Sequence, residues 1–373
     1  MKKILSLLLI LSMLFAVTAC SAATQKAEPS AEQIRAEETA AAETAEEENT
    51  EEKNTEEETA AEQEQEEKQQ YPMALTDQAG REVVLEKEPE KLVSGYYISS
   101  SLLIALGLED KLVGIEAKAD KRAIYKFSAP QLIELPNVGT AKEFDLEGCI
   151  ALEPDLVILP MKLKEAAAAL EEIGIPVLLV NPEDQELLTE MINLIAEATN
   201  TEERAQQLLD FTRTQEENLE KVLEKAQKPL VYLAGNSSFL STAGDAMYQS
   251  DMIRIAGGSN AAASITDAYW VEISYEQLLT WDPEYIILAS DADYTVEDVL
   301  ADPNLAECQA VANKNVYQMP GKAEAWDSPV PSGILGAVWL ANVLHDDLFT
   351  EADSAALIDE YYETFYEFTY SAQ

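Results

Sequence analysis

The sequence predicts an α/β protein: two similar lobes with mainly parallel sheets, joined by a long interlobe helix. Three observations predict it. Short β-branched runs alternate with helical patterns through most of the chain, as βαβ units require. One stretch, 184–228, keeps helical spacing with no Gly or Pro. Two segments, LEGCIALEPDLVIL (146–159) and YEQLLTWDPEYIIL (275–288), align without a gap at a separation of 129 positions. Each has Glu second, an apolar helix face, an acid-Pro-acid step and a strand. That is the mark of a duplicated supersecondary unit.

From the N-terminus, residues 1–19 read as a secretory signal: two lysines, about a dozen apolar residues, then small ones. The end, Val17-Thr18-Ala19-Cys20, resembles the lipobox of bacterial lipoproteins, which implies lipidation of Cys20. After Cys20, residues 21–70 hold 17 Glu against 4 basic residues and no aromatic. Such a segment buries too little apolar surface to offset its ordering entropy, and its like charges extend it. Residues 20–70 are therefore expected to be a lipidated, acidic, disordered tether. No later run has the roughly 18 apolar residues that a membrane span needs. The chain is expected outside the cytoplasm, lipid-anchored to the outer face of the cytoplasmic membrane.

Residues 71–183 are expected to form the N-terminal lobe. Strand signals lie in 83–96, 111–117 and 175–182, helical patterns at 100–108 and 164–174, and 145–160 reads as a helix followed by a buried strand. The interlobe helical segment, 184–228, is expected to break near Thr199-Asn200-Thr201, leaving a helix of about 40 Å over 201–228. The C-terminal lobe, 229–373, resumes the alternation: strands at 229–235 and 283–290, helices at 247–258 and 275–281. Roughly 300 residues suffice for a large core in two units. Cys149 and Cys308 lie in or near helical patterns and read as buried free thiols.

Charge narrows the function. The body carries 53 acidic and 19 basic residues, a net −34, which argues against nucleic acid and anionic lipid surfaces. In such a fold a ligand sits beyond the carboxyl ends of the strands. The loops there supply Tyr96, Tyr97, Tyr125, Phe239, Tyr269, Trp270 and Trp326. These are stiff apolar faces with polar tips, suited to walling a macrocycle or a metal chelate. Trp326 follows GKAEA and precedes proline, so it is expected at the cleft wall. Trp281 and Trp339 lie in helical patterns and are expected in the core. Seven of the body's 19 basic residues fall in 118–164, among them Arg122, Lys142 and Lys162. They read either as a patch for an anionic ligand or as a solvated face.

The paired repeat, the interlobe helix, the lipobox and SDMIRIAGGSNAA (250–262) together resemble the substrate-binding lipoproteins of ABC importers. The branch is the iron-siderophore, haem and vitamin B12 binders (periplasmic-binding-protein-like II, class III), over all of 71–373. The resemblance implies a ligand cleft between the lobes, modest closure, and an ABC permease with its ATPase as partner. It also implies docking of that permease by one glutamate per lobe, here Glu147 and Glu276. A carboxylate in a helix's first turn also serves the helix dipole, and both readings stand.

The expected activity is capture of an iron complex, a ferric siderophore first, and delivery to the permease. Cobalamin, another corrinoid, or haem with Tyr96 or Tyr97 as axial ligand is the alternative. No cofactor and no resident metal are expected: the single histidine, His345, ends an apolar helix, and a zinc site needs several ligands. An extracytoplasmic hydrolase is the reading from a different class. The serines of GNSSFLSTAGD (235–245) have no histidine nearby in sequence, and SITDAYW has no nucleophile-elbow pattern.

Overall fold

The described residues begin with β1 (Met73–Thr76) and β2 (Glu82–Leu85), an antiparallel hairpin with Met73 opposite Leu85. The computed structural model describes residues 71–266 and 268–373. The signal segment, Cys20 and the acidic tether lie outside the described residues. After the hairpin come β3 (Leu92–Ser94), α1 (Tyr97–Ala105), β4 (Leu112–Gly114), α2 (Ala123–Ser128) and α3 (Leu146–Ala151). Then follow β5 (Leu156–Pro160), α4 (Lys164–Glu172) and β6 (Val177–Val180). The strands form a parallel sheet in the order β4-β3-β5-β6. All residues of β5 and β6 are buried, as parallel strands covered on both faces must be. The hairpin is tied to this sheet by Asp77, which accepts from the Leu179 N–H (3.0 Å) and pairs with Arg81 (2.6 Å).

The interlobe segment folds as α5 (Gln185–Thr199) and α6 (Glu202–Leu223). The break falls where expected: Asn200 adopts a left-handed conformation (φ 55°) that ends α5. Helix α6 stops five residues short of 228, so its 22 residues span about 33 Å rather than about 40 Å.

The second sheet is built from β7 (Leu230–Ala234), β8 (Ser241–Ala243), β9 (Ser259–Asn260), β10 (Trp270–Glu272), β11 (Tyr285–Leu288) and β12 (Val316–Gln318). Its order is β10-β8-β7-β11-β12, with β9 beside β7. β7, β9, β11 and β12 run parallel, while β8 and β10 add an antiparallel edge. Around it lie α7 (Tyr248–Ile255), α8 (Tyr275–Trp281), α9 (Val296–Ala301), α10 (Gln309–Asn313), α11 (Ile334–Leu344) and α12 (Glu351–Tyr366). The last helix returns to α1: Tyr366 Oη meets Ser101 Oγ at 2.9 Å, and Arg204 of α6 donates to the Ala105 and Thr364 carbonyls.

The internal repeat is visible in the backbone. α3 and α8 occupy equivalent positions, and so do β5 and β11. Asp145 caps α3 by accepting from the Gly148 N–H (2.9 Å), and Ser274 caps α8 by accepting from the Gln277 N–H (3.1 Å). Both units then turn through a left-handed residue, Glu153 (φ 50°) and Asp282 (φ 47°), directly before a proline. The acid-Pro-acid step is thus a helix-to-strand turn made twice.

Each sheet buries one face in its own cluster. Val93, Val157, Leu159, Val177 and Leu179 fill one, and Tyr232, Ala234, Ile286 and Leu288 fill the other. The opposite faces share a single cluster. It runs from Leu92, Ile158 and Leu178 through α5, α6 and α11 to Val231, Leu233 and Ile287. Cys149 and Cys308 are free and buried, each in a different sheet's private cluster. Burial pushes the Cys149 thiol up to about 11, so it stays protonated and unreactive.

Candidate functional site

The carboxyl ends of the strands bring the candidate residues to two edges. In the first lobe, β3 ends at Gly95-Tyr96, β4 at Glu116 and β5 at Met161-Lys162. Gly95 is required there, because a Cβ would fall 2.6 Å from Leu159 and 3.3 Å from Phe144. In the second lobe, β7 ends at Gly235 and β11 at Ser290. Asp327 sits over the β11 end, accepting from Ser290 Oγ (2.5 Å) and Ser290 N–H (3.3 Å). The loop 321–333 then crosses to the first lobe. The Ile124 N–H donates to the Ala323 carbonyl (3.1 Å), and Ser328 lies against the Tyr97 hydroxyl.

The centre of this arrangement is Arg122. It precedes α2, and its guanidinium stacks on the Tyr97 ring at 4.0 Å. Its Nε is buried with no hydrogen-bond partner, and among the described residues it forms no ion pair. Tyr96 stands edge-on to Tyr97, centroids 6.3 Å apart. Both phenols are raised above the ordinary tyrosine range, chiefly by burial, so both are neutral donors at neutral pH. Tyr97 is the first residue of α1, whose N-terminus has no side-chain cap and no acidic residue in its first turn. The first-turn N–H groups and the positive end of the dipole thus begin at the same residue, Tyr97, whose ring carries the guanidinium, an arrangement suited to an anion.

Beneath lies a polar cluster that the sequence did not disclose. Glu116 accepts from Ser100 Oγ (2.6 Å) and Tyr125 Oη (2.7 Å). Glu324 accepts from Ser101 Oγ (2.5 Å) and Ser332 Oγ (2.6 Å). Both carboxyls are raised above the usual range, mainly by burial, with Arg122 and the serines opposing. Ser100 and Ser101 looked like ordinary helix residues. The one available signal was an acid directly after a strand (Glu116) and in a loop beside tryptophan (Glu324).

Three expected wall residues are elsewhere. Trp326 is 1% exposed, donates its indole N–H to Tyr362 Oη (2.8 Å) and stacks on Tyr370, so it belongs to the core. The polar tip of this tryptophan found a tyrosine from α12, which no local pattern announces. Tyr125 is fully buried and spends its hydroxyl on Glu116. Phe239 packs among Tyr232, Tyr275 and Tyr294 in the second lobe's private cluster. Two aromatics remain at the rim: Tyr269 is 52% and Trp270 43% exposed. Trp270 lies on β10 rather than in a loop, and its ring covers Gly235, where a Cβ would fall 3.0 Å from it. Trp281 and Trp339 pack against the clusters, as expected.

Lys142 and Lys162 are exposed on separate segments; the remaining lysines of that stretch are exposed too, with Lys126 on α2 and Lys164 opening α4, and only Arg122 enters the cleft cluster. Glu147 and Glu276 are exposed in the capped first turns of α3 and α8, with no ion-pair partner among the described residues. Two surface cavities lie away from Arg122. One of about 540 Å³ is lined by Lys225, Tyr285 and His345, and one of about 620 Å³ by Glu216, Glu220 and Arg254. They sit toward the amino end of β7 and beside α6, where a ligand would meet neither strand-end loops nor the unpaired guanidinium.

Known proteins share the fold that carries this geometry. A family described as periplasmic binding protein matches residues 92–323. The chain is 26% identical over 323 residues to the molybdate-binding protein MolA of Haemophilus influenzae, covering 79% of this chain and 91% of that one. The solved structure of MolA bound to molybdate superposes with a TM-score of 0.70 at 25% identity, covering 80% of this chain and 99% of that one. It is 25% identical to YvrC of Bacillus subtilis, an uncharacterized ABC transporter substrate-binding lipoprotein (75% and 88% covered). A vitamin B12-binding protein of Yersinia pestis is 27% identical over 217 residues, covering 57% and 73%.

Proposed function

Because the chain belongs to the periplasmic binding protein family, we propose that its cleft captures an anionic metal species, first of all a tetrahedral oxyanion of the molybdate kind. The chain is the substrate-binding component of an ABC importer, works outside the cytoplasm and catalyses no reaction. The observation that carries the ligand reading is Arg122: stacked on Tyr97, its Nε buried and unpaired, beside an uncapped helix N-terminus. A small oxyanion takes hydrogen bonds from the guanidinium fork, the helix N–H groups and the neutral phenols together. It needs no wide aromatic wall, and three of the expected wall residues are withdrawn into packing. The relation to MolA supports the same chemistry.

A ferric siderophore is the second reading, favoured by the exposed pair Tyr269 and Trp270 at the β7 end. Isothermal titration with sodium molybdate, an anionic ferric tris-catecholate, cyanocobalamin and haemin separates these. Saturable 1:1 binding of molybdate is expected. Binding of a macrocycle alone would overturn the oxyanion reading.

The permease contact and the anchor belong to the same proposal. Glu147 and Glu276 stand at equivalent positions of the repeat, one per lobe, free for arginines of a permease. Glu147→Ala combined with Glu276→Ala is expected to lower importer-dependent uptake more than tenfold while cargo affinity stays within twofold. The caps Asp145 and Ser274 remain, so each exposed change costs no more than about 0.5 kcal/mol of stability. Unchanged uptake would end the docking assignment. Cys20 and the tether 20–70 would hold the domain near that permease, in keeping with the lipoprotein relative YvrC.

A further inference from the structure

An anion held by Arg122 meets an electrostatic problem in this cleft. Two carboxyls, Glu116 and Glu324, lie buried near it; burial disfavours their charge, the Ser100, Tyr125, Ser101 and Ser332 hydroxyls oppose that first, and the Arg122 cation adds to the opposition at both. They are wired to neighbouring residues of α1, Ser100 and Ser101, at 2.6 and 2.5 Å, so neither can swing away. The backbone bond from Ile124 to Ala323 holds the segment carrying Arg122 alongside the loop carrying Glu324. An incoming dianion that engages the guanidinium offsets the positive potential that Arg122 supplies to both carboxyls. It also adds negative charge beside them.

We propose that cargo capture is proton-coupled: Glu116 and Glu324 take up protons from solvent as the anion engages Arg122. The inference rests on the anion reading above. Each carboxylate that takes a proton gains one O–H bond. The negative charge that the anion brings is offset by up to two protons.

The groups facing the pair are few. From α1 come Ser100, Ser101 and Tyr97, and from α2 comes Tyr125. From α12 come Tyr361, Tyr362 and Tyr366, whose phenols are raised by burial and stay neutral throughout. The crossing loop supplies Ser332 and Asp327, the latter held by Ser290 with Asp291 nearby. Burial raises Glu116 and Glu324 already in the free protein, so their titration lies above the ordinary carboxylate range. Binding raises them further. Affinity is then full below the free-protein pKa and is lost as pH rises through the bound-state pKa. Proton uptake is largest between the two.

The test is isothermal titration of the full chain with sodium molybdate, and in parallel with the anionic ferric tris-catecholate, at pH 6 to 9 in buffers of different ionisation enthalpy. The buffer dependence reports protons taken up per anion bound. The expected result is a maximum of about one to two protons inside this range, with affinity falling up to about tenfold per pH unit per proton. Glu116→Gln and Glu324→Gln are each expected to reduce the uptake while 1:1 binding persists. Binding without proton exchange at any pH in the range would overturn the linkage and leave the anion reading standing. Uptake unchanged in both Gln variants would overturn it equally, since the protons would then reside elsewhere. No binding of either anion would overturn both readings.

Discussion

Arg122→Ala is expected to weaken anion binding by about 2–3 kcal/mol, roughly thirty- to a hundred-and-fiftyfold, when measured by titration with molybdate near neutral pH. The side chain has a buried, unpaired Nε and, among the described residues, no carboxylate within ion-pair distance, so that donor is available in the free protein. Little is lost from the fold when it goes. Its stacking on Tyr97 contributes about 0.5–1 kcal/mol, and removing the cation leaves two buried carboxyls that respond by protonating. Arg122→Lys is a sharper control. It keeps the charge but loses the planar fork and the stacked face, and about a tenfold loss of affinity is expected. Affinity unchanged in both variants would remove Arg122 from the site.

The second large effect is on stability. Trp326→Ala is expected to destabilise the protein by about 3–5 kcal/mol, because it empties a fully buried volume between Tyr362 and Tyr370. It also takes one of its two hydrogen-bond partners from the Tyr362 hydroxyl, leaving Ser332. In a body of this size that lowers the melting temperature by about 6 °C. Cargo affinity well below the melting point stays within a fewfold of the parent. Fluorescence distinguishes this role from a cleft wall. Emission from Trp326 is shielded from iodide and indifferent to cargo, whereas Trp270→Phe removes whatever cargo-dependent signal exists. A Trp326→Ala protein that melts normally but binds nothing would return this residue to the cleft.

These two residues show what sequence can and cannot carry. The repeat was readable because each copy is local: a cap, an apolar face, a left-handed turn before proline, a strand. All of it sits within about fifteen consecutive residues, so pattern and structure coincide. The break at Asn200 was readable for the same reason. Arg122 stood out because a cation in a strongly acidic body, on a strand-end loop, is anomalous by charge alone. Trp326 failed because its fate depends on Tyr362 and Tyr370, which arrive 36 and 44 positions later from α12 and the chain end. Tyr125 and Phe239 failed in the same way. A strand-end aromatic is a wall only if nothing packs on it. The paired carboxyls were invisible because Glu116 and Glu324 become one feature only when α1 presents Ser100 to one and Ser101 to the other.

The apolar cluster shared by both sheets has a consequence for how the chain can be divided. Leu92 and Ile158 of the first sheet, Leu233 and Ile287 of the second, and the helices between them exclude water as one body. α12, last in the chain, packs on α1 near its beginning. A fragment cut after residue 183 would expose the α1 surface that α6 and α12 cover, and a fragment starting at 229 would lack α6. Neither half has the partners to fold by itself. Calorimetry should therefore record one cooperative transition for 71–373, with calorimetric and van't Hoff enthalpies in agreement. The repeat leaves two recognisable copies in sequence, yet the folded chain is a single thermodynamic object, in which neither lobe is a unit that could be exchanged or trimmed alone.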